Sequence, residues 1–159
     1  MRRWSWILGV LLILVTTQCT NREKEFFSAQ QPFENDIWQR FQVLEFDIPI
    51  EEKNKTYNIF FTVKYSDEFQ HDNIPLHAIL RTPAGSKRVH EFTIEVRDAN
   101  GKDIGKKTED SEYYALKTPL WQELTISEPG KASLSLEQII PKFETEGIKQ
   151  AGIKLYYAN

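Results

Sequence analysis

A single cysteine, Cys19, stands directly behind an apolar run, and three histidines, His71, His77 and His90, are the chain's only imidazoles. A thiol in that position is a substrate for thioether lipidation, after which cleavage leaves the modified cysteine as the new N-terminus. A zinc site would need the histidines and a carboxylate to converge at about 2 Å from the metal. His71 falls in a polar loop, whereas His77 and His90 fall in neighbouring predicted strands whose pairing could bring two rings together on one face. Cross-strand polar roles are the simpler reading for them. No serine lies in a strained Gly-x-Ser-x-Gly elbow, so acyl transfer lacks its nucleophile. The adjacent carboxylates Glu51 and Glu52, or Glu109 and Asp110, lie in charged loops where such groups meet water. No metal, no cofactor and no catalytic residue is expected.

The segment before Cys19 decides where the rest of the chain works. Arg2 and Arg3 precede the apolar run from Trp4 to Val15, and Thr16, Thr17 and Gln18 lead into the cysteine, which is the layout of a secretory signal. Spanning a bilayer takes about 20 apolar residues and this run has roughly 12, which argues against a permanent transmembrane helix. An ordinary cleaved signal with a free thiol and a lipoprotein signal remain as readings. The second explains why an exported chain keeps one cysteine with no internal partner. Residues 1–18 are therefore read as a lipoprotein signal peptide, 19–36 as a lipidated N-terminus and tether, and 37–159 as one β-sandwich domain.

Composition narrows the partners and the fold. The chain of 159 residues carries a formal charge of −3, and loss of Arg2 and Arg3 with the signal makes it more acidic by two. A mildly acidic surface argues against nucleic acid, whose phosphate backbone needs clustered Lys and Arg. Aromatic residues make up 13% of the chain and Met occurs once; with frequent β-branched residues, this usage favours strands.

Alternation supports the same conclusion. Leu44, Phe46 and Ile48 oppose Val43, Glu45 and Asp47 in a half-buried strand that Pro49 is expected to close. Thr56 to Tyr65 places Tyr57, Ile59, Phe61, Val63 and Tyr65 on one face, which predicts a strand near the centre of a sheet. Ile74 to Thr82, Val89 to Arg97, Leu120 to Ser127, Ala132 to Leu136 and Ile153 to Tyr157 read as further strands, and Tyr113 to Leu116 as a brief pairing. Asp98 to Gly101 has hairpin chemistry, and Glu137 to Phe143 reads as a short helical turn interrupted at Pro141. Seven to eight strands with turn signals between them, and little room for crossover helices, predict an all-β antiparallel sandwich, Ig-like or jelly-roll-like.

The order of several blocks resembles the GldH gliding-motility lipoproteins of Bacteroidetes. They are Tyr57-Asn58-Ile59-Phe60-Phe61, Asn73-Ile74-Pro75-Leu76, Pro83-Ala84-Gly85, Asn100-Gly101 with Ile104-Gly105, Pro129-Gly130 with Leu136-Glu137-Gln138, and Gly147-Ile148 with Ala151-Gly152-Ile153. The resemblance implies a non-enzymatic outer-membrane lipoprotein, acylated on Cys19 with palmitate-type chains. It would serve as an accessory part of gliding motility beside envelope proteins, with a link to type IX secretion. The rival reading is a surface carbohydrate-binding sandwich. Trp38, Trp121, Tyr156 and Tyr157 are expected largely in the core, whereas Tyr113 and Tyr114, in a charged loop, are the aromatics that could face a polysaccharide.

Overall fold

A computed structural model describes residues 24–110 and 112–158. Cys19 and the signal segment lie outside the described residues. The strands run in chain order as β1 (Glu25–Pro32), β2 (Ile37–Gln39), β3 (Leu44–Ile50), β4 (Lys55–Tyr65), β5 (Asn73–Arg81), β6 (Lys87–Glu95), β7 (Lys106–Lys107), β8 (Tyr114–Ile126), β9 (Gly130–Gln138), β10 (Glu144–Glu146) and β11 (Ile148–Tyr157). The 3-10 turn Glu34–Asp36 joins β1 to β2.

One sheet has the order β1-β11-β4-β8-β7, the other β3-β9-β5-β6, and β2 pairs with β10 in a small ribbon. All these pairings are antiparallel. Setting aside the short strands β2, β7 and β10, one sheet reads first, eighth, third, sixth and the other second, seventh, fourth, fifth. That interleaving is the double Greek key of a jelly roll, so of the two sandwich types expected it is the jelly roll that forms.

The core follows from alternation. Leu44, Phe46, Ile48 and Ile50 of β3 and Tyr57, Ile59, Phe61, Val63 and Tyr65 of β4 are all buried. Facing residues of β5, β9 and β11 complete one continuous cluster. β4 lies between β11 and β8, in the central position its pattern predicts.

Four expectations are corrected. The stretch read as a tether from residue 19 to 36 contains β1, which pairs with β11 from Glu25↔Tyr156 to Pro32↔Gln150. A register shift between Glu25 and Phe27 interrupts the period of two, which hides the strand, while Phe26 and Phe27 pack against the core. The expected stop at Pro49 is passed, because β3 is a sheet edge where a missing amide costs no ladder bond. The two strands expected over Tyr113 to Leu116 and Leu120 to Ser127 are parts of one, β8, which runs from Tyr114 to Ile126. It crosses Pro119 at a bulge opposite Phe60 and takes a second irregularity near Glu123, which has φ 53°. The helical turn expected over Glu137 to Phe143 does not form. The side chain of Gln138 accepts the Ile140 amide at 2.8 Å, Ile140 is buried, and Pro141 offers no amide for a helix.

The open side between β6 and β8 is held by aromatic and polar contacts. Phe92 meets Trp121 edge-on at 5.0 Å. The Arg97 guanidinium donates to the carbonyls of His71 at 2.8 Å and Phe69 at 2.5 Å and lies 3.5 Å from the Asp103 carboxylate. The Tyr65 hydroxyl donates to the Val96 carbonyl at 2.9 Å and accepts the Gly105 amide at 3.2 Å. Tyr65→Phe should cost about 1–3 kcal/mol by leaving the Gly105 amide without its acceptor. Burial pushes the phenols of Tyr57 and Tyr65 from 10.0 up to about 12. Their contribution to stability is complete below pH 10.0 and is lost as pH rises toward about 12, because the unfolded chain ionises first. Denaturant titrations across that window should show stability falling, and less steeply in Tyr65→Phe.

Candidate functional site: a groove on the five-stranded sheet

Outward-facing residues of β1, β11, β4 and β8 line a groove of about 280 Å³. They include Gln30, Thr62, Lys64, Lys117, Gln150 and Tyr156. These positions come together because the chain's first, last and two middle long strands are neighbours in one sheet. Thr62 forms the floor: it is 9% exposed, and its hydroxyl has no hydrogen-bond partner among the described residues.

Three lysines, Lys64, Lys117 and Lys154, line the groove with Thr62. The Lys117 ammonium lies 4.7 Å from the ring centres of both Phe60 and Tyr156, which meet edge-on at 5.4 Å. Contact with two ring systems holds the ammonium in place without neutralising it. Lys154 donates to the Glu25 carboxylate at 2.9 Å, and the Tyr156 hydroxyl donates to the same oxygen at 3.0 Å. The hydrogen bond from Lys154 keeps the Glu25 carboxyl below its ordinary pKa. Gln150 donates to the side-chain carbonyl of Gln30. The groove thus offers positive charge, amides, a hydroxyl and a phenol, which is equipment for recognition. It contains no pairing of nucleophile and base.

The aromatics singled out from sequence lie elsewhere. The Tyr113 hydroxyl donates to Asp36 at 2.7 Å, which raises its pKa, and Lys149 lies 5.4 Å from its ring centre. Tyr114 stacks on Tyr65 at 5.4 Å, with the Lys107 ammonium 5.3 Å from its ring centre. Both rings are partly buried.

The strands carrying His77 and His90 do pair, but the rings do not meet. His77 is opposite Glu91 and His90 is opposite Ala78, a one-residue offset that sends the imidazoles to opposite faces. His71 lies in the Arg97-clamped loop, where burial lowers its pKa. Among the described residues no group of three or more His, Cys, Asp or Glu side chains is arranged to hold a metal.

A second surface feature lies at the end of the sandwich remote from Glu25. Phe41 is 68% exposed and Phe143 is 78% exposed. The segments that carry them run side by side, because the Arg40 amide donates to the Phe143 carbonyl at 2.8 Å. Phe41 has φ 68°, a conformation uncommon for a bulky residue.

The described residues form an antiparallel jelly roll with a lysine-lined groove on its five-stranded sheet. The comparisons give its kin. The GldH lipoprotein family model matches residues 25–155, and the chain belongs to that family. It is 22% identical over 154 residues to the gliding motility lipoprotein GldH of Flavobacterium johnsoniae strain UW101, a match covering 92% of this chain and 94% of that one. Two solved structures are more distantly similar. The GH115 4-O-methyl-α-glucuronidase BtGH115A, described as specific for decorated arabinogalactans, has 13% identity and a TM-score of 0.44, over 77% of this chain and 14% of that one. Dimeric latent PorU from Porphyromonas gingivalis has 7% identity and a TM-score of 0.30, over 85% of this chain and 13% of that one.

Proposed function

We propose that this gliding-motility lipoprotein acts without catalysis, as an accessory component held at the outer membrane by lipid on Cys19 and working beside the type IX secretion machinery. The family match over residues 25–155 carries the reading. A single acyl chain anchors only marginally, whereas two or three hold stably, so the domain would meet membrane-bound partners at raised local concentration. Phe41 and Phe143 support a protein partner. Both follow the Pro32 end of β1 in the fold, and the lipid on Cys19 would precede its Glu25 end. Exposed aromatic rings of this kind are what protein partners cover.

Metabolic labelling with a fatty-acid probe tests the anchor. The native chain should take up label and remain with membranes, whereas Cys19→Ala should lose the label, appear in the aqueous fraction and abolish gliding. Gliding that persists without label would show that anchoring is dispensable.

A further inference from the structure

We infer that the groove on the five-stranded sheet binds an acidic polysaccharide, seating a carboxylate-bearing sugar between Lys64 and Lys117 with Thr62 beneath it. Charge is the first argument. The chain is acidic overall, yet three ammonium groups and no carboxylate line this groove. Lys154 is engaged by Glu25 from the rim, while Lys64 and Lys117 form no ion pair among the described residues. Rather than pairing with an acid, Lys117 is fixed by contact with Phe60 and Tyr156. A cation held in place beforehand loses little freedom when an anion arrives.

The second argument is the unpartnered hydroxyl. Buried polar groups nearly always have hydrogen-bond partners, and one without is destabilising. Thr62 lies on the outer face of β4, at the floor of the groove, with its hydroxyl oxygen shielded from solvent, so a ligand oxygen reaches it only as the side chains over it move aside. Gln30 and Gln150 lie alongside, with amide donors and acceptors suited to sugar hydroxyls.

An acidic peptide is the other anionic candidate, and the sheet disfavours it. Extended peptides gain affinity by adding a strand to a free sheet edge. Here β4 is paired on both sides, with β11 and with β8, so the floor offers side chains and no backbone ladder. A ligand rich in hydroxyls, with one acidic group per repeat, matches what remains. The inference does not depend on the lipid anchor, so each can fail separately.

The test is calorimetric titration of the full chain in detergent micelles with sodium polygalacturonate, its fully methyl-esterified form and poly-L-aspartate. Saturable binding of polygalacturonate is expected, at least tenfold tighter than either of the others. The double variant Lys64→Gln/Lys117→Gln should weaken it at least tenfold. Thr62→Val, which keeps the shape of the floor and removes the hydroxyl, should weaken it several-fold with no loss of thermal midpoint. The proposal is overturned by absent or non-saturable binding, by equal binding of the methyl ester, or by equal or tighter binding of polyaspartate. Variants that fold and bind as the native chain does would overturn it too. The three-ligand comparison on the native protein decides the matter even where a variant is unstable.

Discussion

Gly147→Ala is expected to lower stability by about 4 kcal/mol or more, a large share of the roughly 5–15 kcal/mol that holds an ordinary domain folded. Gly147 joins β10 to β11 with φ 82°. A methyl group there would lie 2.3 Å from the Phe69 amide nitrogen and 2.8 Å from the Glu68 carbonyl carbon. These are backbone atoms of the turn that packs over the junction, and the Ser66 amide donates to the Gly147 carbonyl at 2.9 Å in the same turn. Gly85 separates clash from backbone strain. Its φ is 84°, with nothing within 4 Å of an added Cβ, so Gly85→Ala should cost only about 1 kcal/mol, the penalty of a left-handed conformation. Urea denaturation of both variants gives the comparison, and equal losses would refute the steric account.

Trp38→Ala should cost about 3–5 kcal/mol, the range for emptying a large buried aromatic site. Trp38 is 0% exposed and stacks on Phe33 with centroids 4.9 Å apart. Its indole donates to the Gln42 carbonyl at 3.0 Å, and its own carbonyl accepts from Gln138 at 3.4 Å. The side chain thus ties the β2–β10 ribbon to Phe33 at the end of β1 and to the turn at Gln42, while the backbone of the same residue reaches the end of β9. Trp38→Phe keeps one six-membered ring and loses the indole donor with its five-membered ring, and should cost about 1–2 kcal/mol. A loss as large as that of Trp38→Ala would refute the view that the six-membered ring's packing carries most of the effect.

What could be read from the sequence depended on local regularity. β4 and β3 alternate without interruption, so their faces and their burial were legible residue by residue. β1 was not, because the irregularity at Phe26 breaks its period and its polar residues Gln30 and Gln31 resemble a linker. β8 reads as two pieces because Pro119 falls inside it, and only the pairing with β4 shows that the proline adjoins a bulge.

The groove was illegible for a different reason. Lys64 and Thr62 could be placed on the outward face of β4, but Gln30, Lys117 and Gln150 become their neighbours only through the jelly-roll strand order. That order depends on contacts between strands far apart in the chain, and no single-strand pattern encodes it. The nearest local signal is the outward row Asn58, Phe60, Thr62 and Lys64, mixed where a merely solvated face would be uniformly charged.

The incorporation of β1 into the sheet has a mechanical consequence. A lipid on Cys19 would transmit any pull to Glu25, the first residue of a strand held along its length by β11. Tension along the axis of β1 would load that row of hydrogen bonds together, in shear, whereas tension across it would peel them apart one after another. The angle at which the body leans over the bilayer would therefore set how much drag the attachment withstands before its first strand tears free.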